Sequence, residues 1–186
     1  MKNTSNLLNK SFWLVPFMIV LVIFSVQWAR TGTTSEDNPG CKFGIFDSRA
    51  VAMAYYRSEA FSKYIAEQHS ELKKAKEELN ESRIKELSEM GPAIQAKAHQ
   101  QGFGNAPVDD IIKRIEKELP EIAKEAGVDL IISKWEIDYL APGARCIDIT
   151  HLMVKPFAPS PETLKVIKDI QKKDPVPLDV LKEHKH

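Results

Sequence analysis

Cysteine is almost missing from this chain: its 186 residues contain two, Cys41 and Cys146. Two thiols build neither a Cys-rich zinc site nor a disulfide scaffold, and they permit at most one bridge. A charge excess is missing as well, since 26 Lys and Arg balance 26 Asp and Glu. Without a global basic surplus to neutralise phosphates, nucleic acid is not an expected partner. The motifs that announce chemistry are also absent: there is no Gly-rich phosphate loop between strand and helix, no His-Glu-x-x-His, no Gly-x-Ser-x-Gly and no paired Cys spacing. His69 and His99 sit in polar stretches and read as solvated helix positions. His151 follows Asp148 closely but stands at a helix start, and His184 and His186 close a basic tail. The expectation is a protein without enzymatic activity, cofactor or resident metal. If a site were nonetheless assembled from scattered polar residues, Asp47, Asp148 and His151 would be its members.

What is present begins with an apolar run over residues 12–29, preceded by Lys2 and Lys10 and free of acidic residues until Glu36. Eighteen residues of helix cover about 27 Å, close to the ~30 Å hydrocarbon core of a bilayer. The positive charges before the run orient the N-terminus toward the cytoplasm and the remainder outward. Gln27 and Trp28 make a poor small-x-small cleavage site before Ala29, which favours a retained inner-membrane anchor over a cleaved signal peptide. The expected location is periplasmic, tethered by residues 12–29.

The remaining chain divides by composition. Residues 1–30 form the signal-anchor or signal peptide, 31–41 a small, polar, breaker-rich linker, 42–154 a folded domain, and 155–186 a C-terminal helix with an extended tail. Lys42 to Phe46 reads as a strand that runs into a helix capped by Asp47 or Ser48. A helical arm follows over residues 58–126. Its apolar series Phe61, Ile65, Leu72, Ala75 and Leu79 slips by five residues to Ile84, Leu87 and Met90, a real but irregular seam. Gly91-Pro92 is the expected reversal point, Gly102 to Pro107 a second break, and residues 108–126 a return helix kinked at Pro120 and closed by Gly127. Alternation over residues 129–140, the turn Ala141-Pro142-Gly143-Ala144 and a returning strand from Cys146 to Thr150 predict a β-hairpin. Ser160-Pro161-Glu162 starts the last helix. The fold class is α+β: a small β-sheet body with a projecting, coiled-coil-like helical hairpin inserted between the first strand and a C-terminal β-hairpin. Cys41 and Cys146 each begin a proposed strand. They reach bridging distance only if the first strand lies directly beside the last and parallel to it; with the middle strand between them they do not.

An export signal, a strand ending in Asp (Phe43-Gly44-Ile45-Phe46-Asp47), a Lys/Glu-rich helical excursion, the stretch from Ile122 to Ile132 and a closing Asp148-Ile149-Thr150 together resemble the Skp/OmpH family of periplasmic chaperones over about residues 42–154. The resemblance implies a β body that associates as a homo-trimer, and helical arms that enclose unfolded outer-membrane proteins and keep them from aggregating. It brings no catalytic residue and no cofactor. This arm is shorter than the family's and is not basic, with 11 Lys and Arg against 14 Asp and Glu over residues 58–126. A holdase needs apolar surface that clients can touch without a contiguous patch that would make it stick to itself. Leu72, Leu79 and Leu87, scattered along the charged arm, are the client-binding candidates. The alternative function is a membrane-anchored envelope adaptor whose arm binds one specific partner.

Overall fold

A computed structural model of the chain describes residues 40–183. The expected membrane segment at residues 12–29 and the two terminal histidines lie outside the described residues. Among those described, no helix is long and apolar enough to cross a membrane.

The molecule is mixed helix and sheet. Its central strand, β1 (Phe43–Phe46), is flanked by β2 (Leu130–Ser133) on one side and β3 (Cys146–Asp148) on the other, and both neighbours run parallel to it. The expected β-hairpin is therefore absent. The turn at residues 141–144 does form, with Ala144 N–H donating to the Ala141 carbonyl at 3.0 Å and Gly143 at φ +87°. It lies inside a crossover over residues 134–145 that carries the chain past β1, and β2 and β3 never meet. The alternation that suggested a long strand ends at Ser133, whose hydroxyl accepts from Trp135 N–H and starts a turn of 3-10 helix over Lys134–Glu136.

Gly44 explains why β1 can take the middle place. A side chain there would approach Ile149 Cδ1 to 2.7 Å and Val128 Cγ2 to 3.0 Å. Those residues follow β3 and precede β2, so the missing Cβ lets both close over the central strand.

β1 runs into α1 (Ser48–Tyr56), which is buried from Ser48 through Tyr55. Its run of small and medium side chains, Ala50, Val51, Ala52, Met53 and Ala54, lets other helices approach from several sides. These include α6 (Thr150–Val154) and α7 (Pro161–Gln171), with the core completed by Ile111, Ile115, Ile149, Met153 and Ile167. Ser160 caps α7 as expected, its hydroxyl accepting from Thr163 N–H. The tail expected to be extended carries no helix over residues 174–177 but then forms α8 (Leu178–Glu183), which packs on the arm's root beside Gly104.

The helical arm is a pair, α2 (Glu59–Glu77) and α3 (Glu81–Gly102), packed on each other. Its reversal is at Glu78-Leu79-Asn80, not at Gly91-Pro92. Gly91 and Pro92 lie on the exposed face of a continuous α3. The Ser88 carbonyl that Pro92 leaves without a donor is also on that exposed face, where water can satisfy it. The return helix is broken as well: α4 (Asp109–Ile112) passes through a 3-10 turn before α5 (Leu119–Ala126) begins. Pro120 sits in the first turn of α5, where its missing N–H costs nothing, so it starts a helix instead of kinking one. Gly127 closes α5 at φ +63°, the left-handed cap expected from sequence.

The strand order puts β1, which Cys41 precedes, directly beside and parallel to β3, which Cys146 opens, the arrangement that brings them closest. The stagger keeps them apart nonetheless. Phe43 pairs with Cys146, so Cys41 stands two residues upstream of that pair. Two residues along and one strand across separate the Cα atoms by about 8 Å, beyond the ~7 Å limit for a bridge. The segment is also pinned: Lys42 N–H donates to Asp129 Oδ2 at 2.9 Å and Phe43 N–H to the Arg145 carbonyl at 2.9 Å. Both cysteines are free thiols in the structure. Protein purified without reductant and titrated under denaturing conditions should yield two thiols; recovery of none, with full recovery after reduction, would show that the segment slips out of this register.

Candidate functional site

Two polar constellations and one cavity stand out. The first is built on Asp47, whose position after β1 and before α1 puts a carboxylate at a helix N-terminus, where it caps Arg49 N–H at 3.1 Å. The side chain is 1% exposed. Its Oδ1 also accepts from Arg49 Nε and from Trp135 Nε1, each at 3.1 Å. Its Oδ2 accepts from Arg49 Nη2 at 2.9 Å and Lys134 Nζ at 2.8 Å. Arg49, equally buried, donates its remaining Nη1 to the Lys173 carbonyl at 2.9 Å. Asp47 N–H donates to Thr150 Oγ1 at 3.0 Å. The Trp135 ring lies 4.7 Å from the Arg49 guanidinium carbon and 4.5 Å from Lys134 Nζ. Burial alone would raise the Asp47 pKa, but the hydrogen bonds from Arg49, Lys134 and Trp135 outweigh it and lower the pKa to about 2.

With its lone pairs committed to five donors, Asp47 is a structural lock and not a free base. Asp148 is exposed and accepts a single hydrogen bond, from Thr150 N–H at 2.8 Å, and His151 is exposed on the surface. A cavity of about 170 Å³ between β2, α4 and α5 contains none of these three residues.

The second constellation fastens the arm. Tyr56 Oη donates to Gln101 Oε1 at 2.6 Å, and buried Gln101 donates from Nε2 to the Pro107 carbonyl and to Asp110 Oδ1. Lys97 Nζ completes the network on Asp110 at 2.9 Å. Desolvation raises the Tyr56 pKa to about 12, so its hydroxyl stays a donor over the whole physiological range. Beside this network Tyr55, Tyr56 and Phe61 pack edge to face.

Above the root the pair has a thin seam. Ala75 and Leu87 are its buried apolar residues, at 4% and 6% exposure, and Arg83 ties α3 to Glu71 of α2 at 3.1 Å. The three client-binding candidates separate accordingly. Leu87 is inside the seam and out of a client's reach, Leu72 is half-buried along it, and Leu79 is 82% exposed at the tip.

The tip has an unusual backbone. Asn80 N–H donates to the Ala75 carbonyl and Leu79 N–H to the Lys76 carbonyl, the paired bonds of a Schellman turn, whose penultimate position favours glycine. Leu79 holds that position at φ +56°. A left-handed conformation costs a residue with a Cβ about 1–2 kcal/mol, so an apolar side chain is presented to solvent at the expense of stability.

Arg49, Lys134 and Trp135 did not stand out in the sequence, because the lysine and tryptophan fell on opposite faces of an expected strand. The signal was an Asp-x-Arg cap paired with Lys-Trp at the end of another apolar segment. The lowered Asp47 pKa fixes the sign of its pH dependence. Stability from the carboxylate is fully present above the unfolded value near 4 and is lost as pH falls toward 2, amounting to about 2 kcal/mol. Asp47→Asn leaves buried Arg49 without its counter-charge and should cost about 3–5 kcal/mol. The variant should therefore melt roughly 10 °C lower at neutral pH, and about half of that gap should close at pH 2; a variant melting with wild type at pH 7 would contradict the lock.

The chain matches no known family model, no curated protein and no solved structure.

Proposed function

We propose that the protein is a holdase-type periplasmic chaperone, anchored to the inner membrane by residues 12–29, that binds unfolded envelope proteins through its helical arm. The observation that carries this reading is Leu79, an exposed apolar side chain held at the arm's tip in a strained backbone where glycine would fit better. Strain kept at an exposed position points to use of that side chain. Behind it, half-buried apolar positions, Tyr64, Ile65, Leu72, Ile84 and Met90, alternate with charged residues along the pair. No large sticky patch is needed, because an unfolded client can bridge several small ones. The resemblance to the Skp/OmpH family supports the same reading and extends it to a homo-trimer whose arms surround a client.

Leu79→Gly separates function from folding. Removing the left-handed strain should stabilise the arm by about 1 kcal/mol, whereas removing the side chain should reduce protection of a urea-denatured outer-membrane β-barrel protein diluted into buffer. Combination with Leu72→Ser should reduce it further. Light scattering reads protection, and thermal melting reads stability. Undiminished protection by the double variant would remove the arm as the client site, and one stable stoichiometric complex with a single partner, without general protection, would favour the adaptor reading.

A further inference from the structure

The sheet ends on β2, which pairs with β1 and with no other described strand, so one backbone edge is left unpaired. The 170 Å³ cavity borders this strand. Ile131, Ile132 and Ser133 all line it. Successive strand side chains point to opposite faces, so a cavity touched by three in a row meets the strand's backbone as well as its side chains. Phe46, Val108, Ile112, Leu119 and Met153 supply apolar walls. Its size is close to that of an apolar cavity of about 150 Å³ that takes up benzene, and so suits one phenyl ring. The two charged residues on its lining are both acidic, Asp109 and Glu136, and both are exposed.

We propose that this edge binds an extended peptide by β-strand addition, with a phenylalanine-sized side chain in the cavity and a lysine or arginine beside it facing Asp109 and Glu136. Main-chain bonds to β2 supply affinity, the cavity selects the apolar residue, and the two carboxylates select its basic neighbour. The occupant is a basic-apolar segment of another polypeptide. A second copy's β2 edge fits less well, because the Lys134 that it would offer is already held by Asp47. The site lies on the body and works independently of the arm, so it goes beyond the holdase reading and does not rest on Leu79.

The test uses the full chain in a phosphatidylcholine nanodisc and a fluorescein-labelled, end-blocked Thr-Lys-Phe-Lys-Thr peptide, followed by anisotropy. Saturable binding is expected. It should weaken roughly ten- to a hundredfold when the peptide's phenylalanine becomes serine, and about fivefold in the Asp109→Asn, Glu136→Gln double variant, whose exposed positions leave the fold intact. Hydrogen exchange of the segment over residues 130–133 should slow when the peptide is bound. The Leu72→Ser, Leu79→Gly arm variant should bind the peptide as wild type does. Equal affinity for a peptide with glutamate in place of both lysines, unchanged exchange at residues 130–133, loss of binding in the arm variant, or a β2 edge already protected by self-association would each overturn the proposal.

Discussion

Asp47 is the contact on which the rest of the body depends. One buried carboxylate receives donors from α1, from the turn after β2 and from the indole of Trp135, while its own amide reaches the start of α6. Through Arg49 the same network extends to the carbonyl of Lys173, just beyond α7. Segments far apart in sequence thus converge on one residue. A buried ion pair is seldom a large net source of stability, since desolvation offsets most of the Coulomb attraction. Its effect here is specificity: alternative packings would strand Arg49 in an apolar interior.

The consequence for the arm is a division of labour. α1 is packed on nearly every side, and the Tyr56, Gln101 and Asp110 network clamps α3 to it at the root. Beyond the root, burial falls to Ala75 and Leu87, and the polar cross-links are the exposed Arg83–Glu71 ion pair, which salt and water weaken, and a weak hydrogen bond from Tyr64 Oη to Met90 Sδ. A rigid body thus carries a thinly sealed pair of helices. On the proposed function, this lets the arm adapt to irregular clients while the body stays folded.

Much of this was legible locally and little of it globally. Phe43 to Asp47 reads as strand and cap because both properties reside in five consecutive residues, and the same holds for Gly127 and for Ser160-Pro161. The sheet order was not legible. Residues 129–149 carry the alternation and turn of a hairpin, yet the decisive facts are Gly44's missing side chain and the pull of Asp47 on Trp135, both more than eighty residues away in sequence. Gly91-Pro92 misled for a related reason: a proline on an exposed helix face loses one bond that water replaces. The five-residue slip from Leu79 to Ile84 was the true mark of the reversal. Of the candidate site, Leu72 and Leu79 reach solvent and Leu87 does not, because Leu87 is on the face of α3 that meets Ala75, Leu72 runs beside that seam on α2 and Leu79 lies in the turn beyond it.

Native-state hydrogen exchange tests the central claim, that a locked body carries a loosely sealed arm. Amides of β1 and α1 should exchange last and together, through global unfolding, while those of residues 66–85 exchange earlier through opening of the α2–α3 pair alone. Arm amides that exchange with the same free energy as those of α1 would contradict the account and describe one cooperative unit instead.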